Sequence, residues 1–389
     1  MSELIYLDYS STSPTAPEVL EAMLPYLKEG YGNPSSIYRL AQEAREAVDS
    51  SREEVADLLG AHPSEIYFTG GGTEANNWAI KGIAFASKKK ENHLITSKIE
   101  HHSVLRVCQY LETLGFRVTY VDVDKYGVVD TDQIVDSITR ETALITIMYA
   151  NNEVGTIQPV NEIARLAKEK GVPFHTDAVQ VVGKVPVDVA ELSADLLSIS
   201  GHKFYGPKGI GVLYIRRGTK LHSLHHGGHH ERGMRAGTEN VPGIVGLGRA
   251  SQLAREGIKE EERIKRLRDR LWEGLSSRID DLLLNGHPVK RLAGTLNVCV
   301  KYEEGESMLL HLDMERIAAS SGSACTSGSL EPSHVLTAMG IPPEVAHGSL
   351  RFSLGRETVD DEIERVIEVL PPIVERLRAI SPFVKTRSP

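Results

Sequence analysis

The chain has little that would tie it to a membrane, to nucleic acid or to an oxidising compartment. Only 3 of its 389 residues are cysteines, Cys108, Cys299 and Cys325. They are odd in number, far apart and in no CxxC pair, so neither a disulfide framework nor a zinc ribbon is expected. No apolar run approaches the ~18 residues that a membrane-spanning helix needs. The opening MSELIYLDYSSTSP carries neither a basic n-region nor an apolar h-region, so it does not read as a secretory signal. Positive charge is not in excess either: 44 Lys+Arg against 53 Asp+Glu gives −9, which argues against broad attraction to nucleic acid or anionic lipid. What remains, with 41% hydrophobic and 25% charged residues, is an ordinary globular composition. It is expected to fold, in the cytoplasm, as two or three domains or as one large layered domain with a satellite.

What is present is a regular alternation. Short β-rich runs at Ile66–Thr69, Leu94–Ser97, Val118–Val121, Ala143–Met148, Phe174–Thr176, Leu196–Ser198 and Gly211–Ile215 are separated by helical stretches such as Glu74–Lys88, Ser103–Thr113 and Asn161–Lys170. Several of these runs barely alternate, as strands buried on both faces do. The expected fold class is therefore α/β, a mostly parallel sheet with helices on both faces. Ahead of it, Leu40, Ala44, Val48, Val55 and Leu59 share one face of a helix over Tyr38–Leu59. After it, the apolar-poor loop His225–Gly243 leads to a helical stripe through Ile264, Leu267, Leu271, Leu275 and Ile279, and then to an α+β remainder. Strands are expected there near Asn297–Val300, Ile317–Ala319 and Leu350–Ser353, with a last helix over Val359–Leu377 kinked or restarted at Pro371-Pro372. The domain break is expected inside that helical pattern, near residue 260. Residues 16–259 are expected to form a large domain, and residues 1–15 and 260–389 a small one.

Three motifs carry chemistry. In Thr69-Gly-Gly-Gly-Thr-Glu-Ala-Asn76 a strand ends, glycines turn the chain and a helix starts. This is either a plain strand–helix turn or a phosphate cradle, and it lacks the Gly-Lys-Ser/Thr of a P-loop and the spacing of a dinucleotide fingerprint. In Phe174-His-Thr-Asp-Ala-Val-Gln180, Asp177 falls at the carboxyl end of a buried strand, where open α/β sheets place ligands, although a helix cap is the other reading. Lys203, in SISGHKFYGPKGIGVLYI, follows a strand and a Ser-Gly-His turn. It is either a surface lysine or a desolvated one able to form a Schiff base. A phosphate cradle, a strand-end acid and a strand-end lysine together are what pyridoxal phosphate requires.

The chain resembles the cysteine desulfurases of the NifS/IscS type, in the class V aminotransferase family of fold-type I pyridoxal-phosphate enzymes. The resemblance runs end to end through LDYSSTSP, GNPSS, GGGTEANN, EHHSVL, NNEVGTIQP, HTDAVQ, SGHKFYGPKGIG, GGHHERGMRAGTEN, LNGHP, SSGSACTSGSLEPSHVL and LRFSLGRET. It implies an aspartate-aminotransferase-like large domain and a smaller α+β domain. It also implies that Lys203 bonds the cofactor's aldehyde, that Asp177 pairs with the pyridinium nitrogen, and that His101 stacks on the ring and takes part in proton transfer. Gln180 and Asn152 would hydrogen-bond the phenolic oxygen or the nearby substrate. Gly72, Thr73, Ser200 and His202 would hold the phosphate. Thr238 would reach the phosphate of the other subunit of a homodimer, and Arg351 would grip the substrate carboxylate.

Cys325 lies in Ser320-Ser-Gly-Ser-Ala-Cys-Thr-Ser-Gly-Ser329, small polar residues with no apolar anchor, which suits a reactive thiol on a loop expected to move. Cys108 and Cys299, in apolar settings, read as structural. By resemblance, L-cysteine becomes L-alanine while its sulfur forms a persulfide on Cys325. That sulfur then passes to an iron–sulfur scaffold protein or another acceptor, such as a tRNA-thiolating enzyme. The long SSGSACTSG form resembles the scaffold-delivering branch. No resident metal is expected, and the histidines 225, 226, 229 and 230 match no zinc spacing. The family leaves Cys325 available as a transient iron–sulfur ligand. Three rivals stay open here: a selenocysteine lyase or aminotransferase on the same fold, a β-eliminating enzyme yielding pyruvate, and a partner-binding scaffold without turnover.

Overall fold

The computed structural model describes residues 4–87, 91–321 and 332–380. In chain order its strands are β1 (Ile5–Tyr6), β2 (Ile66–Thr69), β3 (His93–Ser97), β4 (Arg117–Val121), β5 (Thr142–Thr146), β6 (Phe174–Asp177), β7 (Leu196–Ser200), β8 (Gly211–Ile215), β9 (Leu282–Asn285), β10 (Thr295–Val300), β11 (Ile317–Ala318) and β12 (Ser349–Ser353). The seven runs expected as strands form a single seven-stranded sheet in the order β2-β8-β7-β6-β5-β3-β4. Strands β3 to β7 run parallel to one another, and β8 runs antiparallel to both β7 and β2. Every residue of β3, β5, β6, β7 and β8 is buried, which explains why their sequences hardly alternate.

Helices cover both faces of the sheet. One apolar core joins Val48, Val55 and Leu59 of helix Arg39–Leu59 to Ile145, Phe174, Ile199 and Val212 of the sheet. On the other face Trp78, Ile80 and Ile83 of helix Gly72–Ala86 pack with Val104, Cys108 and Leu111 of helix His102–Thr113. A further core forms where the antiparallel sheet β12-β10-β9 packs on helices Glu261–Ser276 and Asp360–Ile380, through Leu267, Leu271, Val298, Phe352, Ile367 and Leu370.

Three features differ from the sequence reading. The last helix runs unbroken from Asp360 to Ile380 through Pro371 and Pro372. The stripe Ile363, Val366, Ile367, Leu370, Ile373, Val374 is wholly buried, and that packing offsets the N–H groups the prolines lack. A helix at Val241–Gly257 precedes a single 3₁₀ turn, Ile258–Glu260, before the stripe that begins at Glu261. Its four glycines blur the apolar periodicity. Strand β9 is only partly buried at Leu282–Leu284, so its sequence carries no clear pattern.

Between β3 and helix His102–Thr113 sits Glu100, fully buried. It accepts from Ser97 Oγ at 2.6 Å and from the Met148 amide at 3.0 Å, tying the ends of β3 and β5 together. Burial pushes its carboxyl up to about 8, against the lowering effect of those hydrogen bonds. A carboxyl raised in the folded state contributes stability that is full below its unfolded value, near 4.5, and is lost as pH rises through about 8. Denaturant melts of Glu100→Gln between pH 5 and 9 are expected to lose less stability toward alkaline pH than the parent, because the amide cannot ionise.

Candidate active site

The carboxyl ends of the parallel strands open on one edge of the large sheet, and the three sequence motifs meet there. Beyond β2 the chain turns at Gly71, whose φ of +146° is accessible to glycine and strained for other residues. The helix that follows starts at Gly72 with no side-chain cap, so its first amides are left for another acceptor. Room for that acceptor comes from missing side chains. A Cβ on Gly72 would meet Val179 Cγ2 at 2.7 Å, and one on Gly211 would meet the Gly71 backbone at 2.7 Å. Ser200, the last residue of β7, and His202 line the same opening as Gly72 and Thr73. Burial, with Lys203 and Lys208 nearby, holds His202 down at about 4, so its imidazole is neutral. Its Nδ1 lies 3.1 Å from Thr12 Oγ1.

Asp177 ends β6. Its Oδ1 accepts from the Val179 amide at 2.9 Å and its Oδ2 from Asn76 Nδ2 at 2.6 Å, which fixes a buried carboxylate. Asn76 Nδ2 also donates to Ser103 Oγ at 2.8 Å. The Ser103 amide donates to His101 Nδ1 at 3.1 Å, and Ser103 Oγ lies 2.8 Å from the same nitrogen. Nδ1 must therefore accept, and the hydrogen-bond pattern assigns the ring proton to Nε2. Burial lowers the His101 pKa, Asp177 opposes this, and Lys203 and His102 add to it. Asp177, Asn76, Ser103 and His101 thus form one connected network on the wall of the cavity.

Lys203 ends the 3₁₀ turn Gly201–Lys203 directly after β7. Its Nζ donates to the carbonyls of Ser10 and Ser11 at 2.6 and 2.7 Å. Gln180 Nε2 donates to the same Ser10 carbonyl at 2.9 Å. Arg351, on β12, reaches the site from the smaller sheet: Nη1 donates to the Asn152 carbonyl at 2.8 Å, and Nη2 to Asp8 Oδ1 at 2.9 Å and Ser11 Oγ at 2.7 Å. Gly72, Thr73, His101, Asn152, Asp177, Gln180, Ser200, His202, Lys203 and Arg351 all line one cavity of about 400 Å³.

Thr238 is not among them. It is exposed and does not line this cavity. Cys325 lies outside the described residues. Cys108 and Cys299 are fully buried, with their thiols pushed up by burial, Cys299 to about 11. Sequence reasoning gave no site role to Asp8, Ser10, Ser11, Asn76 or Ser103. Asn76 had a usable signal, one helical turn after Gly72 and so on the same face. Ser10 and Ser11 act through their carbonyls, which leave no mark in residue type.

These residues fit pyridoxal phosphate. The uncapped helix start and glycine cradle suit its phosphate, and the Asp177 carboxylate, fixed by two donors, suits a cationic ring nitrogen. Lys203 supplies the amine, and the buried Asn76 Oδ1, which has no protein partner, remains available as an acceptor.

Comparison with known proteins agrees with the geometry. The family model described as aminotransferase class-V matches residues 5–366. Cysteine desulfurase IscS from Methanosarcina thermophila is 57% identical over 383 residues, covering 98% of this chain and 95% of that protein. A solved NifS-like protein superposes with a TM-score of 0.91 at 38% identity, covering 96% of this chain and 100% of the other. The structure of SspA in complex with cysteine gives a TM-score of 0.80 at 40% identity, covering 91% and 100%. The chain belongs to the class-V aminotransferase family of pyridoxal-phosphate enzymes and, within it, to the cysteine desulfurases.

Proposed function

We propose that this protein takes the sulfur of L-cysteine onto Cys325, releases L-alanine, and hands the sulfur to an acceptor protein. The observation that carries the reading is the convergence of the Lys203 amine, the Asp177 carboxylate, the Gly72 helix start and the Arg351 guanidinium on one cavity. When bound, pyridoxal phosphate supplies an electron sink for charge developing at the substrate Cα. The amides of Gly72 and Thr73, with Ser200 and His202, would hold its phosphate, and Asp177 would hold its ring nitrogen. Gln180 and Asn152 would donate to its phenolic oxygen or to the substrate. Lys203 Nζ, released from the Ser10 and Ser11 carbonyls, would move the proton at Cα. Neutral His101 would stack on the ring and exchange a proton through Nε2.

The Cys325 thiolate would attack the substrate sulfur. The new S–S bond forms as the substrate C–S bond breaks, and its electron pair stays on the substrate carbon, which gains a proton and departs in alanine. The thiol and L-cysteine become a persulfide and L-alanine without an external oxidant. The described residues on either side of the Cys325 segment support this reading. Ser320 pairs with Arg351 through its backbone, Ser333 donates to Glu153, and His334 Nε2 lies 3.0 Å from the Glu100 carbonyl.

The reading extends to a homodimer, in which Thr238 of one copy would close the phosphate cradle of the other. Its exposure, and the open cavity of about 830 Å³ beside Gly70–Thr73 and His225, favour that. The acceptor would be an iron–sulfur scaffold or another sulfur carrier, in the cytoplasm. No helix among the described residues is long and apolar enough to cross a membrane.

Purified, cofactor-loaded protein given L-cysteine and a thiol reductant is expected to yield L-alanine and sulfide in equal amounts. Cys325→Ala should lower both by at least about 10²-fold while retaining bound cofactor. Pyruvate in place of alanine would overturn the assignment in favour of elimination, and alanine unaffected by the substitution would overturn it in favour of a sulfur route that bypasses Cys325. Lys203→Ala is expected to remove the visible absorption of the covalently held cofactor and to cut turnover by about 10³-fold or more, read by absorbance and amino-acid analysis.

A further inference from the structure

Arg351 is buried, and its five N–H donors can be accounted for one by one. Nη2 uses both of its hydrogens, on Asp8 Oδ1 at 2.9 Å and Ser11 Oγ at 2.7 Å. Nη1 uses one, on the Asn152 carbonyl, and retains a second. Nε is buried and has no partner. A carboxylate can take a guanidinium bidentately in two ways: side-on, through Nε and the adjacent Nη2, or end-on, through Nη1 and Nη2. Both forks need an Nη2 hydrogen. With Asp8 and Ser11 in place, an incoming carboxylate finds only single, divergent donors.

The three side chains close a ring, because Ser11 Oγ, which accepts from Nη2, donates in turn to Asp8 Oδ1 at 2.9 Å. Of the two charged partners, Asp8 is the one able to yield. Its side chain is 20% exposed against 4% for that of Arg351, and Arg351 is anchored in β12. Asp8 needs only to turn toward water, whereas Arg351 would have to leave its strand. Two carboxylates cannot share one buried guanidinium without strong repulsion, so entry of a second expels the first.

We infer that Asp8 is a stand-in for the substrate carboxylate: it occupies the Arg351 fork, and an amino acid binds by displacing it. This rests on Arg351 being the carboxylate grip proposed above. The exchange replaces one ion pair by another and satisfies the orphaned Nε, which would otherwise cost the site an unmade hydrogen bond. It also makes Asp8 a specificity-determining residue. An amine that brings no carboxylate leaves the Asp8–Arg351 pair closed and gains nothing from the fork, so the site selects against it without any steric barrier.

The test is calorimetric titration of the cofactor-loaded enzyme with two amines that carry no sulfur to transfer, L-alanine and ethylamine, which differ only in the carboxylate. Asp8→Asn removes the competing charge and is expected to tighten L-alanine at least fivefold while leaving ethylamine unchanged. Ser11→Ala, which frees one Nη2 hydrogen and leaves the charge, is expected to tighten L-alanine by a smaller factor. It also serves if the Asn variant folds poorly. Weaker L-alanine binding in Asp8→Asn would mean that Asp8 positions Arg351 for the substrate, and an equal change for both amines would mean that Asp8 acts away from the carboxylate. Either result overturns the inference. Arg351→Gln separates it from the reading beneath: unchanged L-alanine affinity there removes the carboxylate grip itself, whereas a loss there with no gain in Asp8→Asn removes only the stand-in.

Discussion

Two backbone carbonyls, those of Ser10 and Ser11, hold the Lys203 ammonium, and the rest of the site is arranged around that contact. A lysine at the end of a buried strand would be costly if left without acceptors. The N-terminal segment supplies them and then uses its other groups on the neighbouring residues. The Ser10 carbonyl also takes Gln180, Thr12 reaches His202, and Asp8 and Ser11 hold Arg351. That segment is itself pinned to β12, where Ser353 Oγ accepts from the Ser10 amide at 2.8 Å. A stretch of about five residues therefore sets the mutual positions of groups that come from two different sheets.

The large sheet makes this economical. Parallel strands all point their carboxyl ends at one edge, so residues far apart in sequence, such as Asp177 and Lys203, arrive as neighbours without long connections. Helix starts arrive at the same edge. Gly72 brings bare amides and His101 caps the helix that follows it, so the wall of the cavity offers donors on one side and a neutral imidazole on the other. Burial does the electrostatic work here, lowering the pKa of His101 against the pull of Asp177 and keeping His202 uncharged beside a lysine. The network from Asp177 through Asn76 and Ser103 to His101 then fixes which imidazole nitrogen carries the proton.

Much of this could be read from residue order. The seven strands of the main sheet, the helix start at Gly72, Asp177 at a strand end and Lys203 after a strand were all legible, because buried parallel strands and strand-end turns leave local patterns. The Pro371-Pro372 pair misled for a definite reason. Local propensity argues for a break, and the tertiary packing of a wholly buried stripe outweighs it. Strand β9 was missed because it is half-exposed and shows no clean period, and the helical pattern expected after Gly243 is divided at Ile258–Glu260, where the glycine-rich first half blurs the periodicity.

The sequence by itself determined the fold class and the Gly72, Asp177 and Lys203 motifs, carried by residue type and spacing, while the desulfurase chemistry and the other polar side chains that line the cavity were legible only through the resemblance to a known family. It could not reveal that Asp8 occupies the Arg351 fork, that the Ser10 and Ser11 carbonyls hold Lys203, or that Asn76 and Ser103 join Asp177 to His101. Apart from the local link between Ser103 and His101, those contacts span roughly 30 to 340 residues of chain. Several are made by backbone atoms that every residue possesses, so only the folding of the chain, which brings the sheets and the N-terminal segment together, decided them.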